Sequence, residues 1–143
     1  MIILDTYVVS ELLRPAPTPQ LEAWLAALEG GTIFLTAVGE AELRHGVAIL
    51  PAGRRRTALG AAIDDIPGEE FRDRILPVDS KAARAYAAIA AERRAAGRPI
   101  AQFDCQIAAI ARAHEAVVAT RDTGDYEGCG IAVVDPWQRV KGR

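Results

Sequence analysis

A three-layer α/β/α domain with a five-stranded, mostly parallel sheet is the fold the sequence predicts, on three observations. Five short apolar runs rich in β-branched residues recur along the chain, helical patterns separate them, and the runs are apolar at nearly every position. Parallel strands need crossover connections and are buried on both faces, so apolar strands alternating with helices demand helices above and below the sheet.

The first strand is expected at 2–4, where Ile-Ile-Leu meets Asp5. A helix follows, with Thr18 as N-cap, Pro19 at its first position, Leu21, Trp24, Leu25 and Leu28 turned to the core, and Gly30-Gly31 as its stop. The second strand, 33–35, leads into a helical segment carrying Glu42; the third is expected at 75–78. Ser80 reads as the N-cap of a helix that passes through Tyr86 and Ile89 to Gly97, with Pro99 just beyond. Another helix opens near Asp104 with Ile107, Ala108 and Ala111 on one side, and strands at 116–119 and 131–134 complete the set. Abundant alanine favours helices and close helix-to-sheet packing, and no internal repeat interrupts the alternation.

With 143 residues, 50% of them apolar, the chain is expected to form a single domain over 1–143 that buries roughly two-thirds of its unfolded surface. No apolar run approaches the roughly 20 residues of a membrane span, and Met1-Ile2-Ile3-Leu4 lacks the basic start of a signal peptide. Cys105 and Cys129 suit neither a zinc site nor a disulfide scaffold, so two free thiols in a reducing cytoplasm are expected. A net charge of −2 excludes a general phosphate-attracting field, which leaves only local contacts to nucleic acid. Three clusters read as solvated helix faces: Arg54 to Arg56, then Asp64, Asp65, Glu69 and Glu70, then Arg93, Arg94 and Arg98; the first is alternatively a wall of a nucleic-acid path. The aromatic residues read as scattered, without a stacking platform, and His45 and His114 as unpaired.

Ligands of such sheets bind beyond the carboxyl ends of the strands, near the switch in strand order. Asp5 follows the first strand, Asp122 follows the fourth, Glu42 lies on the helix after the second, and Asp104 opens the helix before the fourth. Each acid has a plain structural role available: caps for Asp5 and Asp104, a turn for Asp122, and a solvated position or a pairing with Arg44 for Glu42. Gathered at one rim, however, like charges about 4 Å apart repel by about 4 kcal/mol at an effective dielectric near 20. Arg44 and Arg121 flank the acids, either to pair with them or to meet a phosphate, but an all-oxygen ligand set best suits Mg²⁺ or Mn²⁺. Such an ion leaves positions for a phosphodiester oxygen and an attacking water.

Leu4-Asp5-Thr6, Ala41-Glu42-Leu43-Arg44 with Gly46-Val47, Asp104 with Gln106-Ile107-Ala108-Ala109, and Thr120-Arg121-Asp122-Thr123-Gly124-Asp125-Tyr126 resemble the PIN-domain ribonucleases, specifically the VapC/FitB-like toxins of toxin–antitoxin pairs. Gly128-Cys129-Gly130-Ile131 and Asp135-Pro136-Trp137 extend the resemblance over essentially the whole chain. It implies a Mg²⁺- or Mn²⁺-dependent endoribonuclease that hydrolyses single-stranded regions of RNA through a metal-bound water. Asp5 and Asp104 would be the principal metal ligands, with Glu42 and Asp122 holding waters or a second ion; Asp125 is either an added charge or a turn residue. It also implies a VapB/FitA-like antitoxin that plugs the site with a basic side chain and carries the contact with promoter DNA. A homodimer is implied too, with 18–28 and 39–50 as the segments where its contact would lie.

Two departures stand out. Tyr7 replaces the family's usual Asn, whose amide orients the neighbouring acid, so Tyr7→Asn is expected to raise cleavage. Gly39 replaces a usual Thr or Ser, removing a hydroxyl, and is followed by an extra acid, Glu40. The alternative reading is therefore a catalytically weakened PIN-fold binding module acting mainly through its antitoxin, against which stands the retention of four mutually repelling acids. A receiver-type phospho-acceptor domain fits less well, because no acid pair ends the first strand and Asp79 precedes an N-cap serine.

Overall fold

The computed structural model describes residues 1–29, 31–66, 71 and 73–138. In chain order these form β1 (Ile2–Leu4), α1 (Thr6–Leu12), α2 (Pro19–Ala26), β2 (Ile33–Thr36), α3 (Ala37–Ala48), α4 (Arg54–Asp65), β3 (Ile75–Leu76), α5 (Ser80–Ala95), α6 (Gln102–His114), β4 (Val117–Ala119), a 3₁₀ turn (Thr123–Tyr126) and β5 (Ala132–Val134). The strands make one sheet in the order β3-β2-β1-β4-β5, and every pairing is parallel. The predicted α/β/α architecture is thus observed.

Side chains leave the strands alternately to two cores. Ile3 and Val118 face Ala82 and Ile89 of α5 and Ile107 and Ile110 of α6. Leu4, Leu35 and Ala119 face Val8 and Val9 of α1, Leu21 of α2 and the half-buried Trp24. Ala108, Ala109, Ala111 and Ala113 are buried along α6, and side chains this small bring the helix down close to the sheet.

Strand order decides where the site can lie. From β1 the sheet grows through β2 and β3 to one side and through β4 and β5 to the other, so the order reverses between β1 and β4. The Asp5 N–H donates to the Ala119 carbonyl at 3.1 Å, which holds the two strand ends together.

Several boundaries differ from the sequence expectation. β3 ends at Leu76 because Pro77 has no N–H to give the ladder. Asp79, not Ser80, caps α5, its Oδ1 accepting the Ala82 N–H at 2.9 Å. Thr18 and Pro19 do open α2, but the Thr18 hydroxyl donates to Glu11 Oε1 at 2.8 Å instead of capping the helix. Ala101 holds the cap position of α6, so Asp104 sits within the first turn rather than capping it. The helix α1 was not anticipated, since its Thr-Tyr-Val-Val start favours strand; capping by Asp5 and packing of Val8 and Val9 override that preference. Gly30, Glu69 and Glu70 lie outside the described residues. Among those described, no helix is long and apolar enough to cross a membrane.

Candidate functional site

The chain leaves β1 at Asp5, which is 7% exposed, and its Oδ1 caps α1 by accepting the Val8 N–H at 2.9 Å. Its carboxylate also takes a hydrogen bond from the Thr120 hydroxyl, while Thr120 Oγ accepts the Asp122 N–H at 3.0 Å. One buried hydroxyl at the end of β4 therefore links the first acid to the fourth. Glu42, on α3, accepts the Thr6 hydroxyl through Oε1 at 2.6 Å. Asp104 reaches inward from the first turn of α6, where the helix N-terminus favours a negative charge.

All four acids line one cleft of about 480 Å³, whose other walls include Thr6, Tyr7, Arg55 and Tyr126. Among the described residues none of the four is ion-paired with lysine or arginine. Arg44 instead pairs with Glu40 at 2.8 Å and Asp64 at 2.7 Å, not with Glu42. Burial pushes the Asp5 carboxyl above its ordinary range, against the hydrogen bonds from Thr120 and Val8, and the charges of Asp122 and Glu42 push the same way. Burial likewise raises Asp104, followed by the charges of Asp125, Glu42, Asp5 and Asp122. Asp125 is therefore an electrostatic neighbour of Asp104 although it does not line the cleft.

This donor set fits a hard dication: it is all oxygen, negatively charged and, among the described residues, not neutralised by ion pairs. The acids are not drawn into a closed cage, for among the described residues no three His, Cys, Asp or Glu side chains stand close enough to hold an ion. Mutual repulsion accounts for the spacing, and Mg²⁺ in particular keeps several waters and needs only one or two direct carboxylates.

The two departures acquire physical meaning here. A Cβ on Gly39 would stand 3.2 Å from Thr36 Oγ1, the oxygen that caps α3 by accepting the Gly39 N–H, so this glycine relieves crowding at that cap; the Thr6 hydroxyl, at 3.5 Å, would meet it only in ordinary contact. Tyr7 packs against Trp137 with ring centroids 5.8 Å apart at 52°, and the Arg121 guanidinium lies 5.1 Å above the Trp137 ring. The aromatic residues are thus not all scattered, a correction to the sequence reading that distance along the chain concealed.

Sequence reasoning also passed over Tyr126 and Arg93. Tyr126 is 3% exposed on the cleft floor, and burial, then the charges of Asp104, Asp5, Glu42 and Asp125, keep its phenol protonated far above the ordinary range. Arg93, expected on a solvated face, is buried; its guanidinium donates to the carbonyls of Arg98 at 2.6 Å, Asp125 at 3.1 Å and Glu127 at 2.8 Å. It pins the segment that follows Asp122. His45 and His114 are exposed and outside the cleft, and both cysteines are free and buried.

A PIN-domain family model matches residues 2–127. The chain is 41% identical over 138 residues to the VapC ribonuclease Y4jK of Sinorhizobium fredii, spanning 96% of this chain and 99% of that one. It is 42% identical over 137 residues to the toxin FitB of Neisseria gonorrhoeae, over the same shares. Among solved structures, FitAB bound to a DNA fragment superposes with a TM-score of 0.91 at 40% identity over the whole of both chains. FitAcB from Neisseria gonorrhoeae superposes with a TM-score of 0.86 at 40% identity, over 97% of this chain and 100% of that one.

Proposed function

The chain belongs to the PIN-domain family, and from that premise we propose that it is a Mg²⁺- or Mn²⁺-dependent endoribonuclease, the toxin of a toxin–antitoxin pair. The observation that carries the reading is the meeting of Asp5, Glu42, Asp104 and Asp122 in one cleft, none of them ion-paired with lysine or arginine among the described residues. Residues 1–143 are read as one PIN domain working in the cytoplasm on single-stranded regions of RNA.

Asp5 and Asp104 would hold the ion directly, while Glu42 and Asp122 would orient waters around it or hold a second ion. When bound, the dication supplies charge to offset the phosphate and acidifies water for attack at phosphorus. The chain's own residues do the positioning. Thr6 fixes the Glu42 carboxylate, Thr120 fixes Asp5 and the Asp122 backbone, and Arg93 anchors the turn below them. Tyr126 closes the floor and excludes water from beneath the acids.

The partner is read as a VapB/FitA-like antitoxin, supported by the FitAB relative; a basic side chain entering an acidic cleft is physically apt, and promoter DNA is contacted through the antitoxin. A homodimer across α2 and α3 completes the proposal. A Mg²⁺ and Mn²⁺ titration of RNA cleavage by wild type, Asp5→Asn and Asp104→Asn tests it. Cutting that needs no metal and survives both substitutions would reject the mechanism, and metal binding without cleavage of any RNA would favour a binding module.

A further inference from the structure

Tyr7 stands two positions after Asp5, and Arg121 immediately before Asp122, so the chain segments that carry two of the cleft acids also carry two members of the Tyr7–Trp137–Arg121 group, in which the two rings are tilted at 52°. The Tyr7 ring lines the cleft yet is 45% exposed, an unusual position for a large aromatic side chain beside four carboxylates. Its neighbour is held firmly: Asp135 Oδ1 accepts the Trp137 N–H at 2.9 Å, and Pro136 between them is fully buried. Among the described residues Arg121 has no carboxylate within ion-pair distance, so its cation remains over the indole face.

The chain's net charge of −2 and the acidic cleft offer an RNA backbone little overall attraction, so local arginines such as Arg55 leave room for a second source of affinity near the cut. Stacking of a base on an aromatic face is insensitive to charge and tolerant of sequence. We propose that Tyr7, backed by Trp137 and with Arg121 beside it, is the platform that seats an unpaired nucleobase of single-stranded RNA next to the scissile phosphate. The inference rests on the nuclease reading above and adds the substrate contact that sets register in the cleft.

The test measures binding and cleavage separately. A short labelled single-stranded RNA, and the same strand with an abasic nucleotide at the cleavage position, are titrated into Asp104→Asn protein carrying Tyr7, Tyr7→Phe or Tyr7→Ala, with Trp24→Phe leaving Trp137 as the fluorescent reporter. The intact strand quenches Trp137, binds Tyr7→Phe like Tyr7, and binds Tyr7→Ala about 10-fold more weakly. The abasic strand binds all three alike. In active protein, Tyr7→Ala raises KM for cleavage with a smaller change in kcat, and Tyr7→Asn lowers cleavage; a rise with Tyr7→Asn, the outcome the resemblance implies for a restored orienting amide, overturns the platform. Equal RNA affinity of Tyr7 and Tyr7→Ala, while wild type still cleaves, overturns the platform and leaves the nuclease standing. A Tyr7→Ala protein that loses affinity only for its antitoxin also overturns it, in favour of a protein contact. Wild type that neither binds nor cuts RNA overturns both readings.

Discussion

The Thr6 hydroxyl donates to Glu42 Oε1 across 2.6 Å, so the residue after the first acid orients the second from a different helix. Thr6→Val keeps the shape and removes the donor. Cleavage is expected to fall about 10- to 100-fold with the melting temperature nearly unchanged, while Thr6→Ser retains most activity. Single-turnover cleavage beside a thermal melt checks this.

Asp5 and Asp104 are raised above 3.8 in the folded chain, chiefly by burial. An acid raised by folding costs nothing below its unfolded value and costs progressively more as pH rises through its folded value. The metal-free protein should therefore lose stability as pH rises from the unfolded toward the raised folded values of these two acids. Asp104→Asn should melt a few degrees higher than wild type at neutral pH without divalent ions, yet cleave at least about 100-fold more slowly. A lower melting temperature for that variant would contradict the electrostatic account.

Arg93 gives its guanidinium to backbone carbonyls, including Asp125 and Glu127. Arg93→Met strands those acceptors and should cost about 3 kcal/mol, a fall in melting temperature of roughly 10 °C, with loss of activity. Arg93→Lys should rescue little, since an ammonium cannot span the same fork of acceptors. Denaturant and thermal unfolding of the two variants decide it.

Arg54, Arg55 and Arg56 occupy the first turn of α4, the end of a helix where positive charge is unfavourable by about 0.3–1 kcal/mol each. Arg55 lines the cleft. Reversing Arg54 and Arg55 to Glu should stabilise the helix slightly, raise KM for RNA several-fold and flatten its salt dependence. Unchanged RNA affinity would return these residues to a solvated face.

The parallel sheet, its five strands and Asp5 could be read from the chain because each is a local signal, an apolar run or a carboxylate just beyond one, whereas Glu42, Asp104 and Asp122 depended on the strand–helix alternation and on the resemblance. What sequence could not show depends on distance in the chain or on overridden preference. Tyr7 meets Trp137 only because β1 and β5 both flank β4. Arg93 looked like its exposed neighbours Arg94 and Arg98, since nothing in sequence marks which arginine finds carbonyls across the domain. The resemblance puts a supporting hydroxyl three positions before Glu42, where this chain has Gly39, whereas the fold delivers one to Glu42 from Thr6.

Every amino acid brings a carbonyl, and carbonyls are what Arg93 grips. The exposed positions Gly124, Asp125 and Glu127 can therefore change without loosening this anchorage, while the buried Tyr126 and the positive-φ Gly128 keep the backbone on its path. One guanidinium thus fixes the course of this rim beside the acids while leaving the identity of its exposed side chains open.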